Sequence, residues 1–248
     1  SKKYIDRMSE WIDIALEEDI RFFVTSLGKP DWVCKKVHEA NGFVYHDVTN
    51  RYYAKKGIDS GVDGLICVNN RAGGHLGQNS MESMYEELHD LEIPLICAGG
   101  IGSKFELSKA LRLGYHGVQM GTRFIASTEC NTLEDYKSAI VNASEKDIVS
   151  TTRLTGVPVS VIKSNDFQED NSWVFKKLLN SRFKHKARMV LNLISLFRSK
   201  YFLKNRNSKN SKKTRSLYSA GKSVQTIKKI DSATSIMQHL GSSISTPN

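Results

Sequence analysis

The sequence predicts an α/β protein made of repeated strand–helix units, and three observations lead there. From the start to about Phe167, short β-branched runs alternate with longer stretches of helical period, the pattern of parallel strands joined by crossover helices. The strand starts, near residues 21, 43, 62, 93 and 117, recur at roughly the 25 to 30 residues that one unit of a (β/α) barrel occupies. Two of the strands also run directly into glycine-rich turns.

Each element has a local reason. Residues 4–17 are amphipathic at helical period, and 21–26 (RFFVTS) form a strand closed by Leu27-Gly28-Lys29-Pro30. Helix 32–40 ends at Asn41-Gly42, a stop and turn signal. Strand 43–48 (FVYHDV), helix 52–60 and strand 62–68 (VDGLICV) follow, the last apolar enough to be buried on both faces. Loop 69–78 is polar and glycine-rich, and Asn79 with Glu82 is expected to cap the next helix as a box. Strand 93–98 (IPLICA) enters Gly99-Gly100-Ile101-Gly102, after which Ser103 and Glu106 make a second box for a helix ending at Gly114. A fifth strand, 117–120 (GVQM), turns out through Gly121-Thr122-Arg123-Phe124 before an acidic helix from about Thr132. Two β-rich stretches after Ile148 flank Thr155-Gly156 and predict a hairpin. Residues 173–203 read as a basic helix and 223–240 as a final one, with Ile227, Ile230 and Ile236 available for packing. Five strands cannot close an eight-stranded barrel, so either the start is missing or the sheet is open.

With 40% hydrophobic and 25% charged residues in 248, the composition is that of a globular chain, not a collagen-like or disordered one. The longest apolar runs, such as 93–98 and 190–197, fall well short of the ~20 residues that cross a bilayer. The amino terminus is charged and lacks the apolar core of a secretory signal. Cys34, Cys67, Cys97 and Cys130 are widely spaced, so neither a zinc site nor a disulfide framework is expected, and a reducing cytoplasm is the expected compartment. The net charge of +10 comes from one segment: residues 171–230 hold 17 of the 36 Lys and Arg and none of the Asp and Glu. The rest of the chain is net acidic. A solvated helix with its apolar face packed is therefore expected for 176–229, in preference to a nucleic-acid or membrane-surface footprint.

The sharpest chemical signal is the pair of turns at the ends of consecutive strands, Ala98-Gly99-Gly100-Ile101-Gly102 and Met120-Gly121-Thr122-Arg123. Glycine lets backbone approach a ligand, and free N–H groups at a helix start favour a phosphate. In eight-stranded barrels the loops after the last two strands commonly hold a phosphate in this way. The spacing GxGxxG is absent, which argues against a Rossmann dinucleotide site. His75 follows two glycines at the carboxyl end of a strand, where an imidazole could take a proton from a weak carbon acid. Gln119 alternates with Val118 and Met120, so it points into the barrel if those two face the helices.

Together the runs Val68-Asn69-Asn70-Arg71-Ala72-Gly73-Gly74-His75-Leu76-Gly77, Ile93-Pro94-Leu95-Ile96-Cys97-Ala98-Gly99-Gly100-Ile101 and Gly117-Val118-Gln119-Met120-Gly121-Thr122-Arg123-Phe124 closely resemble the nitronate monooxygenase family, formerly the 2-nitropropane dioxygenases. The resemblance continues through Thr128-Glu129-Cys130, Tyr136-Lys137 and Thr155-Gly156-Val157-Pro158, and more faintly to Ala220-Gly221-Lys222-Ser223. It implies an FMN-dependent (β/α)8 TIM barrel. Gly99, Gly100, Gly121 and Thr122 would hold the FMN phosphate, Gly73 and Gly74 would lie against the isoalloxazine, and Gln119 would sit beside it. His75 matches the catalytic histidine, which takes the α-proton of a nitroalkane or orients a nitronate. Oxidation by flavin and O2 then gives a carbonyl compound and nitrite, with the nitronate and O2 as the expected small-molecule partners and no metal.

This chain departs from the family at its front, where no opening strand and glycine-rich segment is found, so it would supply about strands 4 to 8 plus a basic helical C-terminal segment. The implied organisation is a partial FMN-binding barrel over 1–167, a basic helical insert over 168–230 and a C-terminal helix packing on the barrel over 231–248. Where some relatives carry a Lys near the flavin, Asp47 stands here. The alternatives are the related FMN-dependent enoyl-acyl-carrier-protein reductase, an inactive fragment, or a module that binds nucleic acid or anionic membrane through the basic segment.

Overall fold

The computed structural model describes residues 2–151, 158–163 and 218–242. The turn of the expected hairpin and the expected basic helix 173–203 lie outside the described residues. In chain order the elements are α1 (Lys2–Glu17), β1 (Phe22–Thr25), α2 (Asp31–Glu39), β2 (Phe43–Val48), α3 (Arg51–Ile58), β3 (Gly64–Val68), β4 (Gly74–His75) and α4 (Met81–Leu88). After them come β5 (Leu95–Ala98), α5 (Lys104–Leu113), β6 (Gly117–Gln119), α6 (Thr122–Ile125), α7 (Glu134–Asn142), β7 (Ile148–Thr151), β8 (Val159–Ile162) and α8 (Ala233–Gly241). Two compact units are formed, one of Ser1–Arg71, Gly77–Met120 and Thr234–Asn248, the other of Ala72–Leu76 and Gly121–Ala233.

In the first unit β1, β2, β3, β5 and β6 form one sheet in that order, with every neighbouring pair parallel. A doubly wound sheet reverses its strand order at a switch point. This sheet does not reverse, and sequential parallel order is that of a barrel wall, so the unit is a curled half-barrel. One face is the core. Val44, His46 and Val48 of β2, Leu65 and Cys67 of β3, and Leu95 and Cys97 of β5 are buried there. They pack with Val33 and Val37 of α2, Ala54 of α3, Met84 and Leu88 of α4, and Leu107 and Ala110 of α5, all buried as well. Each fully buried aliphatic side chain contributes about 1.5 to 3 kcal/mol. The alternate residues lie on the other face, where Phe22, Val24, Phe43 and Gln119 are exposed.

The second unit is built on an antiparallel sheet, β4-β8-β7, whose β7 and β8 form the expected hairpin. Its core gathers Ala126, Ile140, Ala143, Ile162, Ala220, Val224 and Ile227. Tyr136 and Tyr218 stack beside it at 4.6 Å, and the Tyr136 hydroxyl donates to the Ser219 carbonyl.

Two sequence expectations need correction. The α4 helix starts at Met81, so its N-cap is Ser80, which accepts from Ser83 N at 3.2 Å, while the Asn79 amide bonds Glu87 instead. The final helix is not continuous: a 3-10 turn over Lys222–Thr226 is separated from α8 by a non-helical stretch. Asp231 in that stretch forms a β-bridge with Ser127 and accepts from Thr128 N at 3.0 Å, pairings that a helix would forbid.

Candidate functional site

Of the expected site residues, Gly99, Gly100 and Gln119 belong to the first unit, and Gly73, Gly74, His75, Gly121 and Thr122 to the second. At the end of β5 the chain turns through Gly99 and Gly100 with φ of +117° and +78°, a region other residues enter only under strain. Asn69, wholly buried at the end of β3, fixes this turn. Its Nδ2 donates to Gly99 O at 3.0 Å and its Oδ1 accepts from Arg71 N at 2.8 Å. The Arg71 side chain then lies against Gly100, where a Cβ would stand 2.6 Å from Nε. The start of α5 is closed by its own residues: Ser103 Oγ accepts from Phe105 N at 3.2 Å, and Glu106 Oε2 accepts from Ser103 N at 2.9 Å. Below the turn, burial pushes the Cys97 thiol up to about 12, with Asn69 opposing. Gln119 is the register partner of Ala98 one strand away.

The turn after β6 differs. Gly121 is the N-cap of α6 with no side-chain cap, and nothing stands within 4 Å of where its Cβ would be. Thr122 is buried, and its Oγ1 accepts from Gly221 N at 3.0 Å. Gly73 packs on that same pair, since a Cβ there would be 2.8 Å from Gly221 N and 3.3 Å from Thr122 Oγ1. Gly74 (φ +72°) and His75 form β4, paired with Ser160 and Val159 of β8, and His75 is exposed. Arg123 is only 5% exposed; its guanidinium donates to Lys229 O at 3.0 Å and pairs with Asp231 at 3.4 Å. Burial lowers its pKa and Asp231 opposes the shift, so Arg123 ties the turn to the segment before α8 and is not offered to a ligand.

Neighbouring residues of β2 titrate in opposite senses. His46 faces the core, its Nδ1 is 2.8 Å from Thr25 Oγ1, and burial lowers its pKa. Asp47 lies on the opposite face, where burial raises its pKa against a hydrogen bond from Ser26. Its Oδ1 is buried without a hydrogen-bond partner among the described residues. A cleft bounded by Tyr85, His89, Glu92, Pro94 and His116 opens at the amino end of β5, away from the end where Gly99 and Gly100 lie, and carries no part of this site. Among the described residues no group of three or more His, Cys, Asp or Glu side chains could hold a metal ion, and none of the helices is long and apolar enough to cross a membrane.

Sequence reasoning did not single out Asn69, Arg71 or Gly221. A polar residue closing an apolar strand, as Asn69 closes GLICV, was the available signal for the first. Gly221 gains its place only by contact with residues about 100 or more positions earlier.

Comparison with known proteins identifies the family. The family model for nitronate monooxygenase matches residues 3–242. A protein of Staphylococcus saprophyticus named "Probable nitronate monooxygenase" is 29% identical over 175 residues, covering 65% of this chain and 49% of that protein. FabK from Thermotoga maritima superposes with a TM-score of 0.71 at 25% identity, over 94% of this chain and 70% of that one. Nitroalkane oxidase from Streptomyces ansochromogenes has the same fold, with a TM-score of 0.73 at 18% identity over 94% of this chain and 66% of that one. The chain spans about half the length of the curated relatives it matches. By its match along nearly the whole sequence, this chain belongs to the nitronate monooxygenase family.

Proposed function

We propose that the chain carries the flavin-binding and catalytic part of an FMN-dependent nitronate monooxygenase, which oxidises alkyl nitronates with O2 to carbonyl compounds and nitrite. The observation that carries this reading is that glycine-rich turns leave the carboxyl ends of two neighbouring strands, β5 and β6, whose last residues Ala98 and Gln119 are register partners. In eight-stranded barrels those positions follow strands seven and eight and commonly take a phosphate. The five parallel strands are then the fourth to eighth.

The residues present fit such a group. Gly99 and Gly100 have conformations reserved for glycine, and the Gly121 turn has open space and no side chain over its N–H groups. Gly99, Gly100, Gly121 and Thr122 would hold the phosphate, with Gly73, Gly74 and Gln119 beside the ring. The Thr122 oxygen accepts from Gly221, so its share is the hydroxyl proton and the backbone N–H. A bound flavin supplies the redox chemistry with O2. His75 accepts the α-proton of a neutral nitroalkane or orients a nitronate already formed. Four free thiols fit a cytoplasmic setting.

The likeness to FabK favours a second reading, a flavin-dependent enoyl-acyl-carrier-protein reductase, which needs a nicotinamide hydride donor. Anaerobic mixing separates the two. Flavin bleaching by propionate 3-nitronate without nicotinamide supports the monooxygenase, and rapid bleaching by NADH or NADPH alone supports the reductase. The His75→Ala variant should keep flavin and lose about a hundredfold or more on neutral nitroalkane, with a smaller loss on the nitronate anion. Equal loss on both substrates removes the proton-transfer role.

A further inference from the structure

Asp47 is a partly buried carboxyl group of the half-barrel to which the proposed reaction gives no task. It is the penultimate residue of β2, so it stands near the carboxyl ends of the strands, the end from which the Gly99–Gly100 turn also leaves. Strand alternation puts it on the face away from the helices, beside its register partner Ile66 and on the side of Ile96 and Gln119. Ser26 hydrogen-bonds the carboxyl, but Oδ1 is buried with no partner among the described residues. Leaving such an acceptor unpaired is costly, and folded proteins seldom retain one without a use.

An unpaired carboxyl oxygen asks for a donor. β2 is separated from β5 by one strand, so Asp47 lies about 10 Å across the sheet from the glycine turn, two spacings of ~4.8 Å. A ligand whose anionic tail lies at that turn therefore presents its far end, the ring, at Asp47. The oxidised isoalloxazine ring offers a single N–H donor, the imide N3–H of its pyrimidine edge. We propose that Asp47 binds the flavin ring by accepting a hydrogen bond from its imide N–H at Oδ1, a contact that rests on the flavin reading above. It fixes which way round the ring lies and rejects rings whose edge lacks that proton.

The test is a two-by-two cycle of protein and ligand. Wild type and Asp47→Ala are titrated with FMN and with 3-methyl-FMN, in which the imide proton is replaced by methyl, and flavin fluorescence is followed. Wild type should prefer FMN by about tenfold to a hundredfold, the range of one charge-assisted hydrogen bond, and Asp47→Ala should lose most of that preference. Asp47→Asn, which keeps an acceptor, should retain part of it. In the absence of flavin, Asp47→Ala should unfold at equal or higher urea concentration than wild type, because it deletes an unpaired acceptor; a purely structural Asp47 would instead make the variant weaker. The proposal is overturned if the preference survives intact in Asp47→Ala, or if wild type binds both flavins alike. Failure of folded wild type to bind FMN at all sinks the flavin reading itself, a result distinct from either of those.

Discussion

The turns after β5 and β6 look alike in sequence, each a small glycine-rich exit from a strand, yet the structure uses them in opposite ways. The first is filled from within: Asn69 holds Gly99, Arg71 lies on Gly100, and Ser103 with Glu106 occupies the start of the following helix. The second keeps its helix start uncapped and, among the described residues, nothing within 4 Å of where a Gly121 Cβ would stand, while Arg123 ties it to the segment before α8. Glycine thus serves close packing in the first turn and leaves the helix start uncovered in the second.

The contrast makes graded predictions. Gly121→Val should weaken FMN binding by about a hundredfold or more, roughly 3 kcal/mol, with an unchanged melting temperature for the flavin-free protein. Gly100→Val, unlike Gly121→Val, should also cost about 3 kcal/mol of stability through its positive φ and the displaced Arg71. Urea melts and flavin titrations of both variants check the pair, and a Gly121→Val that melts as early as Gly100→Val erases the distinction. Ser103→Ala removes half of the capping box and should cost about 1 kcal/mol in the same melts, with no change in the ratio of FMN to riboflavin affinity. A collapse of that ratio would mean that the Ser103 hydroxyl itself reaches the phosphate.

The smallest effect concerns the helix behind the first turn. The Glu82 carboxyl of α4 is held down to about 2, first by its hydrogen bond with Lys109 of α5 and then by the helix backbone. A depressed carboxyl contributes stability above its ordinary value of 4.5 and loses it as pH falls toward 2. Both side chains are nearly half exposed, so Glu82→Gln should cost less than about 1 kcal/mol at pH 7 and nothing near pH 2. Urea midpoints of wild type and variant, compared across that range, should converge at the acid end.

Local pattern carried much of the fold. The five parallel strands, α1 to α5, the Ser103–Glu106 box and the left-handed Gly114 cap all announce themselves within a few residues of sequence. Elements shorter than one period do not: β4 has two residues and α6 has four, too few for alternation or amphipathicity to register. The break before α8 was invisible for another reason, since the helical period of 223–240 is real and only the distant partners Ser127, Thr128 and Arg123 override it. Site residues divide likewise. Gly99, Gly100 and Gly121 stand in readable motifs. Asn69 and Arg71 reach the glycine turn through contacts about thirty positions away, and Gly221 acts through contacts of about a hundred or more.

The hairpin carries one more lesson. Ile162 N donates to Tyr218 O at 2.8 Å and Val161 bridges to Ser219, so β8 pairs with a strand-like stretch more than fifty residues further along the chain. Loop-closure entropy grows only with the logarithm of length, so bringing these two distant stretches together is opposed little more than a pairing across a much shorter span.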